Sequence, residues 1–399
     1  MKKKIGFGSL CVHGPGEQLH TRPHQLPIYA TSSFCFDSIE QGMDVFLGKQ
    51  PGHIYSRFGN PTIDAVAGQL ARLESHNAGF EALGLLTSSG MAAISTLLMG
   101  LLQPGDTILT QGNLYGGTTA LFREVLQPLN IHFLAANLGQ PGQVESCLKK
   151  NPGIRLLFFE TPANPTLDCF DMAALAALAR KYNCIVVADN TFATPYLQQP
   201  LQFGADFVIH STTKYLNGHG NSTAGAIIGR DEGQMQEAVL PKLKLLGTNC
   251  NPWDAWLLHN GLKTLEVRME RHCRNARQLA QWLHRHPDVE KVNYPGLESH
   301  PGHEVAKKQM RDFGGMLSFE LKGGLEAGKR FMNRLQLATL TPTLGDVDTL
   351  ALHPASMSHI SVPREVRLQY GITDGLVRIS TGIENIEDII GDVEGAMGV

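Results

Sequence analysis

The chain has 399 residues, 42% of them hydrophobic and 18% charged, and its 34 lysines and arginines face 37 acidic residues for a net charge of −3. That length exceeds one ordinary core of about 100 to 200 residues, and that charge gives no electrostatic ground for wrapping nucleic acid or a membrane surface. No apolar run approaches the roughly 20 residues of a membrane span, and the stretch behind Lys2, Lys3 and Lys4 is broken by Gly6, Gly8 and Ser9, far short of a signal-peptide core. The expectation is a soluble, cytoplasmic protein whose partners are small molecules or copies of itself, with no nucleic acid and no membrane.

Residues 1–60 are rich in Pro, Gly, His and Ser, show little periodicity, and lead into the turn-forming Gly59, Asn60 and Pro61, which reads as an extended arm. From 61 to 258 helical segments alternate with short apolar strands, at 107–110, 132–135, 156–159, 184–188, 207–210 and 224–228, with a helix such as 172–182 between them. Strands covered on both faces by crossover helices imply an α/β fold with a mainly parallel central sheet. A long helical stretch begins near Asp254 and joins this sheet domain to a smaller C-terminal α/β domain, 259–399, with strands at 316–321 and 377–380. The last helix has Asn385 as a capping candidate, Glu387 and Asp388 at its positive end, and the stripe Ile386, Ile389, Ile390 and Val393.

The seven cysteines are scattered without CxxC spacing, which argues against a disulfide framework or a thiolate zinc site and for reduced thiols in the cytoplasm. The 16 histidines include no HExxH pattern, so no metal is expected. Residues 6–11 follow no strand and lack the third glycine of a dinucleotide fingerprint.

In open α/β sheets ligands collect at the carboxyl ends of strands, so polar residues directly after buried strands carry the most information. Asp189 follows one such strand. Ser211, Thr212, Thr213 and Lys214 follow another. Thr87, Ser88, Ser89, Gly90 and Met91 follow the Leu-rich 83–86 and lead into a helical run, where unpaired amides at the positive end of the dipole can hold a phosphate. Each piece also has a plain reading: Ser88 and Ser89 as helix caps, Asp189 as a turn residue, Lys214 as a solvated lysine. Together they are what pyridoxal phosphate needs, namely a lysine for the imine, a carboxylate to keep the pyridine nitrogen protonated and a phosphate cradle.

The stretches YSRFGNPT (55–62), SSGMAAI (88–94), LYGGT (114–118), ETPANPTL (160–167), VADNTFATP (187–195), HSTTKYLNGHG (210–220) and GITDGLVRIST (371–381) resemble the Cys/Met metabolism family of pyridoxal-phosphate enzymes. That family includes cystathionine γ-synthase, cystathionine γ- and β-lyases, methionine γ-lyase and the homoserine sulfhydrylases, and the resemblance covers nearly the whole chain. It implies the fold type I of PLP-dependent transferases. It makes Lys214 the Schiff-base lysine and proton shuttle, Asp189 the partner of the pyridinium nitrogen, and Tyr115 the residue that stacks on the ring. Ser89, Gly90, Met91, Ser211 and Thr213 would hold the phosphate and Asn164 the phenolic oxygen. Tyr55 and Arg57 would reach the phosphate of a neighbouring subunit, so the site would need at least a dimer, and the family norm is a tetramer. Arg378 would grip the substrate carboxylate, with Thr343 also in the substrate site.

The subgroup is read from departures. Pro342 stands where the cystathionine enzymes place a Glu, which disfavours cystathionine as main substrate. Residues 353–359 and 371–376 look most like methionine γ-lyase. Gly117 stands where that group has a Cys, the region near Leu243 and Lys244 lacks its supporting Asp, and the loop 247–254 resembles the synthase and sulfhydrylase branches. The expected reaction is therefore γ-elimination from L-methionine or a related amino acid to 2-oxobutanoate, ammonia and a thiol. γ-Replacement on an activated homoserine ranks second, and cystathionine γ- or β-lyase activity after it. Intact Lys214, Asp189, Tyr115 and Arg378 set aside a non-catalytic binding protein.

Overall fold

The computed structural model describes residues 5–13, 23–360 and 362–398; Lys2, Lys3, Lys4 and residues 14–22 of the expected arm lie outside them. Seven strands in the first part of the chain, β1 (Leu83–Thr87), β2 (Thr107–Thr110), β3 (His132–Ala135), β4 (Ile154–Glu160), β5 (Ile185–Asp189), β6 (Phe207–Ser211) and β7 (Gly225–Gly229), form one sheet in the order β1-β7-β6-β5-β4-β2-β3. The five strands from β3 to β6 across that order are parallel. β7 runs antiparallel to both β6 and β1, so the sheet is mainly, not wholly, parallel.

The central strands carry apolar residues at nearly every position because both faces are covered. Alternation then sorts the side chains. Val208, Ala226, Ile228 and Leu86 enter a core with the helix α3 (Pro61–Glu74), whereas Phe207, Ile209, Ile227 and Val187 enter one with α4 (Gly90–Leu101). Each such Val, Leu, Ile or Phe contributes about 1.5–3 kcal/mol when fully buried. α3 starts where it does because Asn60 accepts a bond from the Thr62 amide at 3.0 Å and Pro61 needs no partner at the first helical position.

The second sheet contains β8 (Val289–Asn293), β9 (Met316–Leu321), β10 (Thr339–Leu340), β11 (Leu350–Leu352) and β12 (Leu376–Ser380) in the order β10-β11-β12-β9-β8. Only the β10 and β11 pair is parallel among these described strands. The stretch expected from Asp254 is two helices, Pro252–Leu262 and Leu265–His284. The second serves both cores: Leu265, Met269 and Cys273 pack under the first sheet, and Ala276, Leu279, Ala280 and Leu283 pack under the second.

Two expectations are corrected. The described part of residues 1–60 is not simply extended: it holds α1 (Phe7–Val12), with Phe7, Leu10 and Cys11 buried, and α2 (Ile39–Phe46), capped by Ser38 on the Gln41 amide. Asn385 sits at the start of the last helix, Ile386–Met397, but its side chain accepts no bond from that helix; it lies 3.5 Å from the Arg271 guanidinium instead.

Candidate active site

A cavity of about 270 Å³ opens at the carboxyl ends of β4, β5 and β6, beside the first turn of α4. At that turn the Ser89 hydroxyl accepts from the Ala92 amide at 3.0 Å and the Ser89 carbonyl from the Ala93 amide at 3.0 Å. The amides of Gly90 and Met91 have no acceptor among the described residues, which leaves the positive end of a twelve-residue helix facing the cavity. Glycine is required at position 90, since a Cβ there would lie 2.7 Å from Ser211 Cβ and 3.0 Å from Ser211 Cα. Ser211 ends β6, its amide donating to Thr191 Oγ1 at 2.9 Å. Thr213 tightens the next turn by bonding both the amide and the carbonyl of Ala224 at 3.2 Å.

Lys214 follows, and its Nζ donates to Thr343 Oγ1 at 2.8 Å. Burial pulls the ammonium down to about 8; the Arg378 charge adds to this and Asp346 opposes it. Arg378, on β12, donates to Asn164 Oδ1 at 3.1 Å and to the Thr343 carbonyl at 2.9 Å. Burial lowers its guanidinium to about 10, so it stays charged at neutral pH. Thr343 thus joins the lysine to the arginine: its hydroxyl serves one and its carbonyl the other.

Asp189 is the last residue of β5, and its Oδ1 accepts from the Thr191 amide at 3.0 Å. Burial raises its carboxyl above the usual range, against the Thr191 bonds and the His210 charge. Behind the sheet His210 Nε2 meets Glu74 Oε1 at 2.6 Å with both side chains fully buried, and Asn190 donates to the same oxygen at 2.9 Å. Tyr115 stands at the mouth, 52% exposed. Gly117 leaves it room, because a Cβ there would lie 2.6 Å from Tyr115 Cε1 and 3.0 Å from Met91 Sδ.

Of the residues singled out in the sequence, Ser89, Gly90, Met91, Tyr115, Asn164, Asp189, Ser211, Thr213, Lys214 and Arg378 all line this one cavity. Thr343 reaches it through Lys214. Tyr55 and Arg57 do not line the cavity of their own chain: Arg57 packs over the Phe58 ring at 4.6 Å and bonds the Lys244 carbonyl. The cavity also holds Glu160, Thr191, Phe192, Thr223 and Leu344, which sequence reasoning passed over. Glu160 opens the ETPANPTL motif and Thr191 sits in VADNTF, so the motifs contained the signal although the residues were not picked out.

The donor set fits pyridoxal 5'-phosphate. It offers two helix-terminal amides and neighbouring hydroxyls for a phosphate, a lysine depressed toward neutrality for an aldehyde, and a buried carboxylate that no basic side chain among the described residues pairs with, for a ring nitrogen. Residues 8–398 match the family described as Cys/Met metabolism PLP-dependent enzyme. The chain belongs to that family. It is 47% identical over 393 residues to an L-methionine gamma-lyase of Fusobacterium nucleatum subsp. polymorphum, covering 98% of each chain. It is 44% identical over 402 residues to that of Pseudomonas putida, covering 99% of this chain and 98% of the relative. Its fold is that of the crystal structure of cystathionine gamma-lyase from Lactobacillus plantarum, with a TM-score of 0.91, 36% identity and 98% of each chain covered. This family member therefore takes pyridoxal 5'-phosphate as its cofactor and has the α/β fold of the PLP-dependent transferases.

Proposed function

We propose that this enzyme eliminates the γ substituent of L-methionine or a related amino acid, so that methionine and water give 2-oxobutanoate, ammonia and methanethiol. The observation that carries the reading is one cavity containing Lys214, Asp189, Tyr115 and Arg378 together, with an apolar wall at Pro342 and Leu344. An apolar wall suits a thioether and gives no partner to a second amino group. The similarity to proteins named L-methionine gamma-lyase supports the same choice.

In this reading Arg378 holds the substrate carboxylate with its planar fork of donors. Ser89, Gly90, Met91, Ser211 and Thr213 seat the cofactor phosphate, Asn164 its phenolic oxygen and Asp189 its ring nitrogen. When bound, the cofactor supplies an electrophilic carbon that joins to an amine and a ring that stores the charge left by proton loss. Lys214 would hold the cofactor and would take the Cα proton of the substrate, for which an amine lowered to about 8 is well matched. Tyr115, at the mouth, gives a proton to the departing sulfur. A second reading, γ-replacement on an acylated homoserine, draws on the similarity to a protein named O-succinylhomoserine sulfhydrylase from Pseudomonas aeruginosa, 38% identical over 387 residues.

We also propose that the site is completed by a second copy, in at least a dimer and by extension a tetramer. Tyr55 and Arg57 do not line the cavity of their own chain, and α2 presents Ile39, Met43 and Phe46 to solvent at 73%, 57% and 64% exposure, an apolar stripe suited to another chain. Seven cysteines without a disulfide support placement in the reducing cytoplasm. The test is incubation of cofactor-loaded protein with L-methionine alone, with Lys214→Ala as control. Release of 2-oxobutanoate and methanethiol that the control lacks supports elimination. Negligible release with the cofactor band intact transfers the assignment to γ-replacement.

A further inference from the structure

Glu160 ends β4 at the level of Asp189 on β5, and the two pair directly in the parallel register, so two carboxyls share one wall of the cavity. The Glu160 main chain is clamped by the buried Gln111, which accepts from its amide at 2.9 Å and donates to its carbonyl at 3.2 Å. Its side chain is then aimed at one target: both carboxyl oxygens lie within reach of the Tyr115 amide, at 2.8 and 3.1 Å. Tyr115 needs such an anchor. It precedes Gly116 and Gly117 at the head of a short helical turn, Gly116–Ala120, where glycine adds backbone freedom, and its ring is half exposed.

We propose that Glu160 is a positioning residue for the reaction, setting the main chain of Tyr115 over the cofactor seat. Two ionised carboxyls in adjacent register inside a dry cavity repel, and one gives way. Burial, reinforced by the Asp189 charge, holds the Glu160 carboxyl well above the usual carboxylate range. Burial raises the Asp189 carboxyl as well, but there the Thr191 hydrogen bonds oppose the shift. An uncharged Glu160 still accepts from Tyr115 through its carbonyl oxygen. The inference rests on the cofactor seat proposed above.

The experiment compares wild type, Glu160→Gln and Glu160→Ala as holoenzymes, reading three quantities: turnover, the pH titration of the cofactor absorption band, and its circular dichroism, which reports the asymmetric surroundings of the ring. Glutamine keeps the shape and one acceptor without a titratable group, so Glu160→Gln is expected to keep turnover within a few-fold of wild type, with the same titration midpoint and dichroism. Glu160→Ala strands the Tyr115 amide, and turnover is expected to fall about tenfold or more with altered dichroism and the band still present. Loss of turnover in Glu160→Gln, or a midpoint displaced by about one unit, overturns the inference by showing a working anion at 160. Unchanged turnover and dichroism in Glu160→Ala overturn it by showing that Tyr115 needs no anchor. A wild-type band that Lys214→Ala leaves unaltered overturns the cofactor seat itself, an outcome distinct from the other two. Urea unfolding of each variant confirms that the fold is retained, and Glu160→Gln tests the charge if alanine is not tolerated.

Discussion

Lys214 is the residue whose environment yields the most quantitative expectation. Its ammonium is lowered from 10.5 to about 8 by burial, then by Arg378, against Asp346. At pH 7 an amine with a pKa of about 8 is neutral in about one molecule in ten, while an ordinary lysine is neutral in about three in ten thousand, so the environment supplies about 300-fold more nucleophile. The rate at which apoenzyme combines with added pyridoxal 5'-phosphate, followed by the cofactor absorbance across pH, reads this fraction directly. Wild type is expected to speed up with pH and level off with a midpoint near 8. Arg378→Met removes a neighbouring cation that disfavours the ammonium, so its midpoint moves up and its rate at pH 7 falls. Asp346→Asn removes the opposing carboxylate, so its midpoint moves down and its rate at pH 7 rises. A wild-type midpoint above about 10, or two variants that move in the same direction, would refute this account of the lysine.

Two further expectations concern the scaffold. Gly90→Ala places a Cβ 2.7 Å from Ser211 Cβ, and since neither neighbour can swing away, the first turn of α4 must part from the end of β6; cofactor affinity in a fluorescence titration is expected to weaken about tenfold or more, which corresponds to about 1.4 kcal/mol, and an unchanged affinity would show that this turn does not seat the phosphate. Glu74→Ala leaves His210 Nε2 and Asn190 Nδ2 buried without their shared acceptor, a loss of about 1–3 kcal/mol for a stranded buried group. Glu74→Gln keeps an acceptor at the same position, so its urea midpoint stays closer to wild type, and equal midpoints for the two variants would remove the hydrogen bonds from the explanation.

The apolar runs gave the strands of the first sheet away because burial on both faces leaves little room for anything else; 107–110 and 132–135 match at both ends, but the carboxyl ends of the other four run one residue further, and those ends are where the chemistry sits. Asp189, Ser211 and Glu160 belong to their strands, so alternation, not a turn, aims them. Glu160 escaped notice because an acid closing an apolar run reads as the boundary of a strand, and nothing local announces that Tyr115, far away in sequence, depends on it. Lys214 and the Ser89 to Met91 turn were legible because the groups that define them are consecutive. The Arg378, Thr343 and Asn164 contacts were not, since they join β12 to two loops that only folding brings together. α1 and α2 were missed for a different reason: at 6 and 8 residues they are too short for periodicity to stand out, and the apolar stripe of α2 faces outward, where a core-facing reading gives it no purpose.

The charged groups of the cavity all shift toward their neutral forms, and burial is the leading cause for Lys214, Arg378, Asp189 and Glu160 alike. Both signs are present, but the fold does not let them cancel. The acids end adjacent parallel strands of the first sheet, whereas Arg378 projects from the second and is held by an amide oxygen and a carbonyl, not by a carboxylate. Those neutral acceptors orient the guanidinium without satisfying its charge. A protein carboxylate in their place would stabilise the empty fold and weaken the grip on an incoming one, because a desolvated charge-assisted bond is strong only toward a partner it does not already have. The same reasoning applies to Asp189 and a ring nitrogen. The electrostatic cost carried by the folded chain is therefore the complement of what its cofactor and substrate bring, and it explains why these side chains sit where stability alone would not have put them.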